Sequence, residues 1–418
     1  MKSTLLLLSV LFTSLLTAQR IDMPTVGSGY MDEAYVNLET GEVTVQSADS
    51  WDIAFSAAGL QDAGIFINEA APLMGTALEL YDTGISTWED VPSDPSFLEE
   101  EPLLLNPDEN WTTGAFNTMA DPQNPIDYGW GAYNGQTRTV EGNRIFAIKK
   151  RDGSWIKLQI INLAFTTYNF RYADLDGSNE VSASVNKDDA NGTPWIHFSF
   201  ETGTSALAPE GWDVLFTRYS EPLDDGEGGI LDYTLTGVFT APGVESVMAD
   251  GVDPGDVNES DYQSSYSSDI NNIGHDWKFF DFMSGWIIDQ DRAYFVKRAD
   301  GQTFKLIFLD FEGSRTGTTT IETTDLGVIT SNDELVSEPT ESIFSYPNPV
   351  KDELFLNIPN ATGTEFITLR NTNGQILLKQ EVYSDQSIYL SSLLNEGLMV
   401  LNVYRGGSLV HTEYISKN

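Results

Sequence analysis

Trp51-Asp-Ile-Ala-Phe55 and Trp212-Asp-Val-Leu-Phe216 are the two stretches on which the fold turns. In the first, Trp51, Ile53 and Phe55 alternate with Asp52 and Ala54, the period of a half-buried strand. The second keeps that order 161 residues later, so the strand belongs to a repeated unit. Working outward, Tyr35-Val-Asn-Leu-Glu-Thr-Gly41 returns as His197-Phe-Ser-Phe-Glu-Thr-Gly203. Asn124, Ile126 and Trp130 return as Asn271, Ile273 and Trp277. Phe146-Ala-Ile-Lys-Lys-Arg-Asp-Gly-Ser-Trp-Ile-Lys-Leu158 returns as Tyr294-Phe-Val-Lys-Arg-Ala-Asp-Gly-Gln-Thr-Phe-Lys-Leu306. Four blocks in one order, at offsets of 162, 161, 147 and 148, read as two tandem β-domains, residues 19–185 and 186–329. Asp152-Gly153 and Asp300-Gly301 lie between apolar runs and predict a hairpin turn in each copy, with positive φ angles. Segments 84–128 and 220–275 carry less pattern and read as long insertions, functional or mobile.

The ends of the chain read differently. Lys2, the apolar run Leu5 to Leu16 and Thr17-Ala18 before Gln19 predict a signal peptide over residues 1–18. The run is shorter than the roughly 20 residues of a membrane-spanning helix. Export fits the absence of cysteine only if packing or bound ions replace disulfides. The formal charge of −41 excludes nucleic acid as a partner, since phosphate binding needs a basic face. Residues 330–342 are polar, contain Pro339 and read as a linker. Beyond it the charge changes: residues 343–418 hold 7 acidic and 5 basic residues, a net of −2.

Residues 343–418 resemble the type A sorting domain of type IX secretion. The resemblance rests on Tyr346-Pro-Asn-Pro349, then Leu354, Leu356 and Ile358, then Asn373-Gly-Gln-Ile376, Ser387-Ile-Tyr-Leu390, Leu393, Gly397, Met399-Val-Leu-Asn-Val403 and Lys417. Short strands at this spacing predict a small immunoglobulin-like β-sandwich. The resemblance implies recognition by an outer-membrane translocon and attachment at the outer-membrane surface.

The second copy resembles the HmuY family, whose members capture haem outside the cell. The matching residues are His197-Phe-Ser-Phe-Glu-Thr-Gly203, Trp212-Asp-Val-Leu-Phe-Thr-Arg-Tyr219, Gly226-Glu-Gly-Gly229, Arg292-Ala-Tyr-Phe-Val-Lys-Arg-Ala-Asp-Gly301 and Lys305. The family implies an all-β chain of antiparallel domains and a haem ligand, whose iron needs His or Met donors and apolar walls. In the family, the second axial ligand follows a Trp by five positions. From Trp277 the count gives Phe282, which cannot ligate, with Met283 one residue further. The candidate haem residues are therefore Met283, His275, Met248 and the wall residue Trp277. From Trp130 the count gives Gly135, leaving Met74 and Met119 in the first copy.

Other chemistry is thinly signalled. No nucleophile elbow, phosphate loop or zinc-protease motif is present, and three scattered histidines argue against a triad, so a non-enzymatic protein is expected. Asp174-Leu-Asp-Gly-Ser-Asn-Glu180 spaces hard oxygens as calcium loops do, which makes Asp174, Asp176 and Glu180 candidate Ca2+ ligands; a solvated turn is the alternative reading. Asp52 and Asp213 read as structural turn or strand-pairing residues. The expectation is an exported or surface binding protein for haem or a similar flat apolar molecule. Its rival is a structural or adhesive protein that kept the fold.

Overall fold

The computed structural model describes residues 18–59, 62–224, 228–328, 343–358, 365–371, 375–382, 386–390, 397–405 and 408–417. Residues 1–17 of the expected signal peptide, the expected linker 330–342, Gly226, Asn373 and Leu393 lie outside the described residues. Among the described residues the regular elements are strands and short 3-10 turns, and no helix is long and apolar enough to cross a membrane. The chain divides into two compact units, residues 1–331 and 332–418.

The larger unit is not two domains side by side. Each copy donates its first three strands to the other. From the first copy these are Ala18–Pro24, Asp32–Val36 and Val43–Ser47; from the second, Val181–Asn186, Trp195–Ser199 and Thr204–Leu207. We call these the first and second arm. Ala18–Pro24 lies on the edge of the second copy's sheet, pairing Thr318–Val328 with Ile21 opposite Ile321. Val181–Asn186 does the same for the first copy, pairing Thr167–Asp174. Asp32–Val36 pairs the second copy's Val214–Asp224, with Tyr35 opposite Leu215. Trp195–Ser199 pairs the first copy's Ile53–Ser56, with His197 opposite Ala54. The expected boundary at residue 185 thus falls inside an arm that folds with the residues before it.

Packing follows the same exchange. One core joins Ile53, Phe55, Phe146 and Phe170 of the first copy to Val185, Ile196 and Phe198 of the second arm. The other joins Ile21, Val36 and Leu38 of the first arm to Val214, Phe216, Phe304 and Ile321 of the second copy. Asp52 and Asp213 fasten the arms. Asp52 accepts the Phe200 backbone N–H at 2.6 Å and pairs Arg151 at 2.7 Å. Asp213 accepts the Leu38 backbone N–H at 2.7 Å and pairs Arg298 at 2.6 Å. Leu38 and Phe200 are 162 residues apart, so the two latches are images of each other. Both aspartates are buried, where a charge-assisted hydrogen bond is about twice as strong as a neutral one.

The hairpins form at Asp152-Gly153 and Asp300-Gly301. Each closes through the glycine N–H, to Lys150 O and Arg298 O respectively. Only the glycines take positive φ, 82° and 88°, so the aspartate does not share the left-handed conformation that an Asp-Gly two-residue turn predicts.

The smaller unit is a sandwich of two antiparallel sheets. Phe344–Tyr346, Glu353–Asn357 and Gln386–Tyr389 form one; Ile376–Val382, Glu365–Asn371, Gly397–Arg405 and Ser408–Lys417 form the other. Leu354, Leu356, Ile367, Leu369, Leu401 and Ile415 are among the residues of its core. The strand pattern read from 354–358 and 399–403 is the inward face of this sandwich.

Candidate functional site

Two places in the larger unit hold unusual side chains. The first is the hairpin Lys278–Asp281 and Gly285–Ile288, whose two strands pair only with each other. Lys278 points inward, and Phe279 and Phe280, on opposite faces of a hairpin paired with no other strand, are both half exposed. At the tip, Phe282 and Met283 are each 96% exposed. Asp281 holds the tip by accepting the backbone N–H groups of Met283 and Ser284. A large apolar tip in water is costly. Beneath it, Trp277 is 1% exposed and stacks on Phe308 at 4.0 Å. Lys278 Nζ sits over the Trp277, Trp286 and Phe311 rings and donates to Thr236 O. Burial pulls its ammonium down to about 7.

The four residues expected to hold haem are spread over this region. Met283 stands free at the tip, while Trp277 is a core residue with one face covered. Met248 lies on Glu245–Asp250 opposite Tyr294, partly exposed. His275 is half buried, its Nδ1 3.2 Å from Glu221 Oε2 and 3.5 Å from Tyr219 Oη. In the first copy, Met74 is fully exposed and Met119 is exposed.

The second place is a hollow of about 80 Å³ at the seam between the two cores. Both arms and both copies line it: Glu33 and Tyr35, then Trp51, Glu69 and Trp111, then Trp195 and His197, then Thr217 and Tyr219. Glu33 accepts from Tyr35 Oη at 2.9 Å, Trp51 Nε1 at 3.1 Å and Thr217 Oγ1 at 3.3 Å. Glu69 accepts the Asn106 and Ser220 backbone N–H groups. Removal from water raises both carboxyls to about 7 despite these bonds. His197 is 3% exposed and stacks on Trp51 at 4.5 Å. Its Nδ1 has no hydrogen-bond partner, and burial drives the ring down to about 3, so it is neutral. An unfilled buried nitrogen of this kind costs about 1–3 kcal/mol. His197 aligns with Tyr35, which meets Trp212 edge-on at 5.3 Å, so the stacked pair has an image across the seam. The sequence marks none of Glu33, Glu69, Trp111, Trp195 or His197 as a site residue; His197 enters there only as part of the repeated block 197–203. The one available signal was a carboxylate, Glu33, in phase with the apolar residues of a strand.

The three candidate calcium ligands do not converge. Among the described residues, no group of three or more His, Asp or Glu side chains is placed to hold a metal. Asp174 and Asp176 bond Ser178 and Asn179 within their own turn. Glu180 turns away, to Trp88 Nε1 at 3.0 Å and Arg171 at 3.7 Å.

Comparison with known proteins adds the following. The HmuY protein family matches residues 29–172 and 191–324, and the secretion system C-terminal sorting domain matches residues 345–417. No curated protein matches the chain. Among solved structures, apo PinO from Porphyromonas gingivitis is similar at 9% identity and a TM-score of 0.21, over 75% of this chain and all of that one. PorZ of Porphyromonas gingivalis, a surface component of type IX secretion, aligns at 12% identity and a TM-score of 0.17, over 72% of this chain and 41% of that one. The adhesin domain of Epf from Streptococcus pyogenes aligns at 11% identity and a TM-score of 0.16, over 69% and 86%. Scores this low carry no argument about fold or ligand. The two family matches place the protein outside the cell or at the outer-membrane surface, handled by the type IX secretion system.

Proposed function

This chain belongs to the HmuY family, and from that premise we propose that it is a non-enzymatic surface binding protein that captures a flat apolar ligand of the haem class on the hairpin 278–288. The observation that carries the reading is the exposed tip, where Phe282 and Met283 stand clear of the protein with Phe280 beside them. Covering each of these side chains is worth roughly 1.5–3 kcal/mol, so Phe280, Phe282 and Met283 together contribute about 4.5–9 kcal/mol toward holding a porphyrin. The Met283 thioether is a donor that iron accepts. The sorting domain supports display at the outer-membrane surface by attachment after secretion.

A hemin titration of the intact chain tests this. The expected result is a Soret shift that saturates at one equivalent and weakens at least tenfold in Met283→Ala. A second reading, an adhesive or structural surface protein, is favoured by Trp277, whose ring is sealed under Phe308 and offers no wall to a ligand. Under that reading hemin uptake does not saturate, and Met283→Ala leaves it unchanged.

A further inference from the structure

With Glu33 and Glu69 ionised, the charge around the seam hollow does not balance. Glu33, Glu69 and Asp108 face it against one guanidinium, Arg218. The Arg218 Nη groups are engaged by Ala71 O and Thr234 O. Glu33 feels Arg151 only at longer range, and Arg151 is already paired with Asp52. The charged neighbour of Glu69 is Asp108, another carboxylate. His197 adds a neutral ring nitrogen that nothing in the protein fills. Trp51, Trp111 and Trp195 supply aromatic surface, to which a cation is attracted through the ring quadrupole.

We propose that this hollow is a second binding site, distinct from the hairpin, for a small organic ammonium ion. Its charge is balanced by Glu33 and Glu69, one N–H is given to His197 Nδ1, and its carbon chain lies against Trp111 and Trp195. Size limits the class. A cavity of about 150 Å³ holds the six carbons of benzene, so 80 Å³ takes roughly three to four non-hydrogen atoms, with propylammonium at the upper limit. The overall charge of −41 draws cations toward the protein and weakens with salt.

Binding exchanges protons for the ligand. In the empty hollow burial favours the protonated carboxyls; a bound cation favours their ionised forms, so each carboxyl that ionises releases one proton. The other charged or titratable groups facing them are Asp108, Arg151, Arg218, His197, Tyr35 and Tyr219. Affinity therefore rises with pH through about 7.

The test is a titration of the full chain with propylammonium chloride at low salt, followed by tryptophan fluorescence and calorimetry at pH 6 and pH 8. The expected result is one saturable site, bound about tenfold more weakly at pH 6 for each carboxyl that must ionise. Propanol, of equal size and no charge, binds at least tenfold more weakly than propylammonium. Glu69→Gln lowers the affinity at least tenfold, and His197→Phe, which keeps the stack on Trp51, lowers it several-fold. Met283→Ala leaves it unchanged, which separates this site from the hairpin. Equal binding of propanol, or equal affinity at the two pH values, overturns the proposal. If Glu69→Gln does not fold, the pH contrast and the propanol comparison in the unaltered chain still decide it.

Discussion

The hairpins that follow Trp130 and Trp277 start from the same scaffold and end as different surfaces. Both tryptophans are fully buried, and both open a short hairpin. In the first copy, Thr139–Gly142 pairs Gly131–Asn134 on one side and the long strand Trp155–Ala164 on the other, so the hairpin is woven into a sheet. Asn134, Thr137 and Thr139 all bond Glu141 on its outer surface. In the second copy the hairpin pairs with no other strand and carries Phe279, Phe280, Phe282 and Met283 outward. Gly142 explains part of the difference. A Cβ there would lie 1.7 Å from Ile160 O, so only glycine allows the strands to close. At the matching offsets of 147 and 148 the second copy has Asp289 and Gln290. The lesson is that a duplicated fold kept its buried anchor in both copies and left one hairpin free to become an apolar surface.

The largest test of this contrast is electrostatic. Lys278 takes the place of Gly131 beneath the second hairpin alone. In the folded protein it loses its proton near 7, in the unfolded chain near 10.5. Between those values the unfolded state holds one more proton, so stability rises with pH across the window, by about 5 kcal/mol. Lys278→Met should flatten that rise in urea denaturation at pH 7 and pH 10. Next, Gly142→Ala should detach the first hairpin and cost about 3 kcal/mol in urea denaturation at pH 7. A loss below 0.5 kcal/mol would break the explanation given for the woven hairpin. Smaller still is the difference between the anchors. Trp130 Nε1 donates to Ala63 O at 2.9 Å, whereas Trp277 Nε1 has no partner. Trp130→Phe should therefore be about 1 kcal/mol more costly than Trp277→Phe. Finally, Phe282→Ser should shift stability by no more than about 0.5 kcal/mol while weakening hemin uptake, since the ring touches solvent and not the core.

Much of this was legible in the sequence, for definite reasons. Ile53 and Phe55 alternate with Ala54 because they face one core and Ala54 the other, so Ile53–Ser56 is buried on both faces and not half-buried as its period implied; the glycines after Asp152 and Asp300 mark turns that need positive φ. The tandem HmuY match and the sorting domain were also readable, because their motifs keep a fixed order along the chain. The exchange of arms was not. A repeat says which segments are alike; it does not say which copy each one joins, because both docking surfaces carry the same latch aspartate. The hollow was illegible for a related reason. Glu33, Glu69, Trp111 and Trp195 come from four distant segments, and Trp111 sits in a stretch without strand periodicity. The count from Trp277 did lead to the exposed tip, although the thioether and the tryptophan face different surroundings there.

The arm exchange sets an order in time. Ala18–Pro24 emerges first, yet its edge partner Thr318–Val328 arrives roughly 300 residues later. Until then Ile21, Tyr35 and Val36 wait without the core that will cover them. Residues 53–207 need no such delay, since their strands and their core are complete before Val214 is made. The protein therefore finishes from the middle outward. Late closure across so long a loop is slow, and during that interval a neighbouring chain's second copy offers the waiting arm the same berth.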